Sequence, residues 1–242
     1  MELLVLDHHP TTGPCRFVDV LDGRSDLFSW RSIEVASGAP LPTDLADVAG
    51  LLVMGGPQSV TEDHPWMAGE SDLLRRAVAE DVPVFGVCLG AQLLAVATGG
   101  QVTTRAVPEI GFVPQRPTEE GAADELTAGW PDGAATVLWH GDEVTRLPGE
   151  AVPLLLGDEQ ATAWRVGSAF ATQAHPEVDA AQLARWVELD ELDHQFADSG
   201  LDADAFLAEA ARREPFLLAT GVSLFGRFVD GPVRRRATGS SR

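Results

Sequence analysis

Apolar and polar positions along the chain follow two rhythms: short unbroken apolar runs, and longer stretches in which apolar residues recur every three or four positions. The runs Met1–Leu6, Ser32–Ala36, Gly50–Met54 and Val82–Val87 are short and predict strands. Helices are expected near Cys15–Leu21 and over Gly69–Glu80. Leu89, Leu93, Leu94, Val96 and Ala97 form the apolar face of a third helix, stopped at Gly99-Gly100. Strands alternating with helices imply an α/β fold: an open, mostly parallel sheet flanked by helices, with right-handed crossovers. Ala135–Leu138, Ala151–Leu156, Ala161–Arg165 and Ala169–Gln173 read as later strands, partly antiparallel. After Asp179 the pattern turns helical and acidic, over Ala180–Leu192, Asp202–Arg213 and Pro215–Val229, with Asp202 and Pro215 as start signals.

Composition narrows the class. The 242 residues are 45% hydrophobic, enough for one large α/β domain with additions. Two cysteines, Cys15 and Cys88, argue against a disulfide scaffold or a cysteine-rich zinc site. A formal charge of −20, from 37 acidic against 17 basic residues, disfavours a nucleic-acid-binding body, because phosphate contacts need clustered cations. No long apolar segment and no signal-like leader stand out, so neither a membrane nor a secretory route is expected, and the expected compartment is cytoplasmic. The Arg-rich end, Arg234 to Arg236 before residues 237–242, reads as a flexible basic tail from 231 onward.

The candidate chemistry starts at Cys88. It lies between the run ending at Val87 and the helix starting at Leu89, a strand-to-helix turn with Gly86 and Gly90 on either side. The partial positive charge of a helix N-terminus favours a thiolate there. A nucleophilic thiol needs a base and a group to orient it, and His175-Pro-Glu177 supplies both. Pro176 pushes His175 into an extended backbone, so His175 and Glu177 project to one side.

Cys88-Leu-Gly-Ala-Gln92 together with His175-Pro-Glu177 resembles the class I (triad) glutamine amidotransferases. Met54-Gly-Gly-Pro-Gln-Ser59 resembles that family's glycine-rich oxyanion loop. Trp139-His-Gly-Asp142 before Leu147-Pro148 resembles a segment of its stand-alone, GMP-synthase-like branch. The likeness runs from Met1 to about residue 185 and implies a flavodoxin-like sheet with a C-terminal helical extension over 186–230. It also implies attack of Cys88 on the side-chain amide of glutamine, giving a γ-glutamyl thioester and ammonia. Cys88, His175 and Glu177 would be catalytic, the N–H groups of Gly56 and Leu89 would hold the oxyanion, and Gly55, Gln92, His140 and Gly141 would contact substrate. No metal or other cofactor is implied.

Weaker candidates surround these. His8-His9 follows the first strand at the sheet's carboxyl edge, where a substrate contact is conceivable. His140 is the rival for general base but lacks the adjacent Pro-Glu. Glu109-Ile-Gly111 either lines the pocket or is an ordinary turn at a strand start, and His64, His194 and Cys15 read as surface or core residues. Some sixty residues beyond the domain are too few for a synthetase. Two partnerships therefore stay open: a separate synthetase or other acceptor-using subunit, and a small-molecule substrate alone. A γ-glutamyl peptidase or isopeptidase is the close alternative, and a non-catalytic regulatory or binding protein the distant one.

Overall fold

The structure, a computed structural model, describes residues 1–158, 160–189 and 194–239. Nine strands form one open sheet among them: β1 (Glu2–Asp7), β2 (Ser29–Glu34), β3 (Val48–Val53), β4 (Val84–Val87), β5 (Gln101–Pro117), β6 (Ala134–Arg146), β7 (Val152–Leu156), β8 (Ala161–Val166) and β9 (Ala169–Thr172). Their order is β2-β1-β3-β4-β9-β8-β7-β5-β6. The half from β2 to β9 is parallel, and from β9 through β8, β7 and β5 to β6 every pairing is antiparallel. The α/β sheet expected from the alternating pattern is therefore present, with the antiparallel strands where the later runs placed them.

The helices are α1 (Phe17–Asp22), α2 (Met67–Ala79), α3 (Leu89–Ala97), α4 (Glu119–Ala123), α5 (Ala180–Glu188), α6 (Gln195–Ser199), α7 (Ala203–Phe228) and α8 (Arg234–Thr238), with a π-turn at Val229–Val233. One core packs Leu73, Leu74 and Ala77 of α2 and Leu93 and Leu94 of α3 on one sheet face. On the other face, Phe225 and Phe228 of α7 meet Phe85 of β4 edge-on, and Phe225 stacks on Phe17 of α1. A third cluster joins α5, α6 and the first half of α7 to Val137 and Trp139 of β6.

Several expectations are corrected. The second strand is Ser29–Glu34, and Val35–Ser37 is a helical turn. A 17-residue strand, β5, runs through Glu109–Gly111, where either a pocket-lining segment or a strand-start turn was expected. Its burial has no period-two alternation, which hides it from pattern reading. Pro215 starts no helix; it lies inside the 26-residue α7, whose start at Asp202 is as expected, the side chain accepting from Ala205 N–H at 2.7 Å. The continuous helix through 203–238 is consequently long and apolar enough, by length and composition, to cross a membrane, against the expectation of no such segment. Half of its apolar window is buried inside the protein. The Arg-rich end is helical rather than a loose tail. Arg234 bonds Asp230, Arg235 bonds Glu125, and Arg236 donates to the carbonyls of Leu45 and Val48. Residues 190–192 of the expected Ala180–Leu192 helix, and 240–242 of the tail, lie outside the described residues. The expected boundary at residue 185 falls inside α5.

Candidate active site

Parallel strands deliver their carboxyl ends to one edge of the sheet, and the site assembles there. Cys88 joins β4 to α3 with φ 48° and ψ −104°, a conformation L-residues avoid. Such strain persists only where the surroundings enforce it. Here the Cys88 N–H donates to the Thr172 carbonyl at 2.8 Å, its carbonyl accepts from Gln92 N–H at 3.0 Å, and α3 is pressed so closely to β3 that any side chain at Gly90 would overlap the Val53 carbonyl. The thiol is thereby held, 6% exposed, at the mouth of a pocket of about 60 Å³ lined by Thr12, Gly56, Pro57, Trp139, His175 and Trp186, among others.

The chain after β9 brings the histidine expected as the base. His175 Nδ1 lies 2.8 Å from Glu177 Oε1, with both side chains buried. Trp186 of α5 meets the imidazole edge-on at 4.8 Å between ring centres. Burial alone pulls the His175 pKa down. The Glu177 carboxylate and the Cys88 sulfur, by charge and by hydrogen bonds to both, outweigh it and hold the pKa well above the ordinary imidazole value. The protonated ring is thus favoured between an acceptor on each side. α7 braces this turn: it passes so near that a methyl group at Gly221 would overlap the Pro176 carbonyl.

The glycine loop closes the other wall. Gly55 packs against the His175 ring and Cys88 Cβ, and Gly56 against Leu89. Leu89 is the first residue of α3, so its N–H belongs to the unpaired donors of a helix start. The Gly55 carbonyl accepts from Thr12 Oγ at 2.9 Å, which anchors the peptide that carries the Gly56 N–H. Cys88, His175, Glu177, Gly55, Gly56 and Leu89 are therefore brought together.

Two expected substrate contacts are placed elsewhere. His140 does not line the Cys88 pocket. Its Nδ1 bonds the Asp142 carbonyl at 2.8 Å and its Nε2 lies 3.1 Å from Glu109, in a separate cavity of about 350 Å³ shared with Arg105, Glu143 and Gln173. The hydrogen bond from His140 holds the Glu109 carboxyl below its ordinary range. Adjacent residues of a strand face opposite sides, so Trp139 in the pocket puts His140 behind it and returns Gly141 to the pocket side, beside Gln195. Gln92 lies one layer back, its Nε2 donating to the Asp142 carbonyl at 2.8 Å and to Gln173 Oε1 at 3.4 Å. His8 is bound to both carboxylate oxygens of Glu70, at 3.1 and 3.0 Å, and His9 to Thr11, and neither lines the Cys88 pocket, where a substrate contact was considered. Sequence reasoning passed over Thr12, Trp186, Gln173 and Gln195. Gln173 ends the strand-like run Ala169–Gln173, but a neutral amide two residues before a histidine carries no pattern of its own.

Comparison with known proteins identifies the chain's family and relatives. Residues 28–187 match the profile of the family described as "Glutamine amidotransferase class-I". The chain is 35% identical over 156 residues to a GMP synthase [glutamine-hydrolyzing] of Aeropyrum pernix, covering 63% of this chain and 28% of that protein. It is 31% identical over 191 residues to a gamma-glutamyl-L-1-hydroxyisopropylamide hydrolase of a Pseudomonas species, covering 73% and 57%. The chain thus spans about a quarter of one curated relative and just over half of the other. The crystal structure of a glutamine amidotransferase from Methylobacillus flagellatus superposes with a TM-score of 0.83 at 29% identity, over 95% of this chain and 94% of that one.

Proposed function

The chain belongs to the class-I glutamine amidotransferase family, and from that premise we propose that it hydrolyses the side-chain amide of glutamine through a thioester on Cys88. The observation that carries the proposal is the buried line of Cys88, His175 and Glu177 beside the open helix start at Leu89. The Cys88 thiolate attacks the amide carbon, and negative charge moves to the carbonyl oxygen. The N–H groups of Leu89 and Gly56 receive that charge, a contribution of about 10²–10³ in rate for one well-aimed donor. His175, held protonated by Glu177, gives its proton to the departing nitrogen, so the C–N bond breaks and ammonia leaves. Neutral His175 then takes a proton from water, the hydroxide adds to the thioester, and the C–S bond breaks to give glutamate and regenerate thiolate and imidazolium. Gly55 and Gly141 flank the substrate, while Gln92 and His140 act from behind the pocket wall.

A second reading uses the same steps with an amine or amino acid as leaving group. It is favoured by the wall that α5 and α6 add to the pocket, Trp186, Leu189 and Gln195, and by the likeness to the Pseudomonas hydrolase. Under the first reading ammonia passes to a separate synthetase subunit, in keeping with the likeness to the A. pernix synthase; under the second no partner is required. An assembled triad speaks against a purely regulatory role, and we place the enzyme in the cytoplasm. Incubation of pure protein with glutamine and a panel of γ-glutamyl amides, with ammonia and glutamate measured, tests both readings. Release of neither product, nor of any amine, from every compound refutes the proposal.

A further inference from the structure

The triad is not the whole polar environment of the sulfur. Gln173, the residue after β9, is 8% exposed and its Nε2 lies 3.4 Å from Cys88 Sγ. Its backbone is fixed by an N–H donated to the Thr162 carbonyl at 2.8 Å. The orientation of its amide follows from a relay. The Asp142 carbonyl only accepts, so Gln92 presents its NH₂ end there, at 2.8 Å, and the same NH₂ end faces Gln173 at 3.4 Å. Gln173 must answer with its oxygen, which turns its own NH₂ toward the sulfur. The Trp139 carbonyl, 3.6 Å from the sulfur, can accept only from the neutral thiol, whereas the Gln173 N–H can serve the anion. The charged groups around this cluster are His175 and Glu177 from the turn after β9, Asp142 of β6, bonded to Ser59, and, across the second cavity, the His140–Glu109 and Arg105–Glu143 pairs and Asp158.

We propose that Gln173 is a thiolate-stabilising residue: its side-chain N–H, aimed by the relay from the Asp142 carbonyl through Gln92, donates to the Cys88 sulfur whenever that sulfur is anionic. The proposal rests on the reading of Cys88 as the nucleophile. In acylation the donor holds the thiolate until the S–C bond forms, and in deacylation it receives the thiolate as the C–S bond breaks. His175 faces the thiolate as imidazolium at both points, and the Gln173 N–H adds a neutral donor that takes no part in the proton transfers.

The test is the rate of iodoacetamide alkylation at Cys88 against pH, read by peptide mapping, in wild type, Gln173→Met and Gln173→Glu. Gln173→Met keeps the volume and removes the donor. Its half-maximal rate is expected to move up by about one pH unit, a roughly tenfold loss of reactive thiolate on the acid limb. Gln173→Glu, which sets a carboxylate against the sulfur, is expected to move it further. A folded Gln173→Met with an unchanged profile overturns the proposal. Should that variant not fold, Gln92→Met, which releases the Gln173 amide without removing it, carries the test: a shift in the same direction supports the relay and an unmoved profile overturns it. Alkylation needs no substrate, so a normal shift in a protein that turns over no γ-glutamyl compound refutes the hydrolase reading while leaving this one standing.

Discussion

Replacing Glu177 by Gln isolates the part of the site that is charge rather than shape. The amide has the carboxylate's volume and can still bond His175 Nδ1 across the present 2.8 Å, so packing against Trp186 and Pro176 is kept. What disappears is the attraction between a buried carboxylate and the imidazolium. At an effective dielectric near 20, opposite charges about 4 Å apart attract by about 4 kcal/mol, which at about 1.4 kcal/mol per decade sets an upper bound near 10³. The Gln amide can also donate to Nδ1 and select the tautomer whose Nε2 cannot accept a proton, a defect that costs about 10⁴ in a serine triad. We expect kcat/KM to fall about 10²–10³-fold. Glu177 raises the His175 pKa, so its loss lowers that pKa, the imidazolium is given up at lower pH, and the alkaline limb of the pH–rate profile moves down. The assay is glutamate release by a coupled dehydrogenase from pH 5 to 10, with thermal melts to confirm folding. A folded Glu177→Gln within threefold of wild type, or with its alkaline limb unmoved, refutes the assignment of Glu177 as the orienting carboxylate.

Other outcomes follow from the same geometry. Because the folded-state pKa of His175 is raised, its pairing with Glu177 contributes stability fully below the unfolded value of about 6.5 and loses it as pH rises through the folded value. The difference in melting temperature between wild type and Glu177→Gln should therefore be largest in mild acid and shrink in alkali, and a constant difference contradicts the pairing. A glutamine-derived diazo-ketone should label Cys88 and spare Cys15, whose thiol is pushed up by burial and by the carboxylates of Glu177, Asp179 and Asp7; equal labelling in peptide maps removes the basis for that selectivity. Gly221→Val should drive α7 off Pro176, lowering stability by about 1–3 kcal/mol and turnover with it. A variant with normal melting and rate denies the brace. Exposed Pro215 interrupts the hydrogen bonding of α7, so Pro215→Ala should raise the melting temperature by several degrees, and a fall shows that the helix needs the proline.

The parallel half of the fold was legible because its strands are buried on both faces: β3 and β4 read as solid apolar runs, and a cysteine between such a run and an apolar helix is a local signal. His175-Pro-Glu177 was legible for the same reason, since two residues apart in extended chain is enough to pair the side chains. β5 was not, because an edge-ward strand of mixed exposure has neither rhythm. The continuity of α7 through Pro215 was hidden because tertiary packing on both sides of it, Phe206 in one cluster and Phe225 in another, overrides the local cost of one missing donor. The arginines after 233 were mistaken for a solvated run because their acceptors, Glu125 and the carbonyls of Leu45 and Val48, lie far away in sequence. His140 was misplaced by one step of strand alternation, which its motif alone does not fix.

The central claim is a covalent γ-glutamyl thioester on Cys88. Acid-quenched turnover of the best γ-glutamyl substrate, digested and mapped by mass spectrometry, tests it directly. The account predicts one γ-glutamyl group on the peptide that carries Cys88, absent from Cys88→Ala and discharged by hydroxylamine. Steady turnover with that peptide unmodified in a rapid quench, or with Cys88→Ala still active, contradicts it.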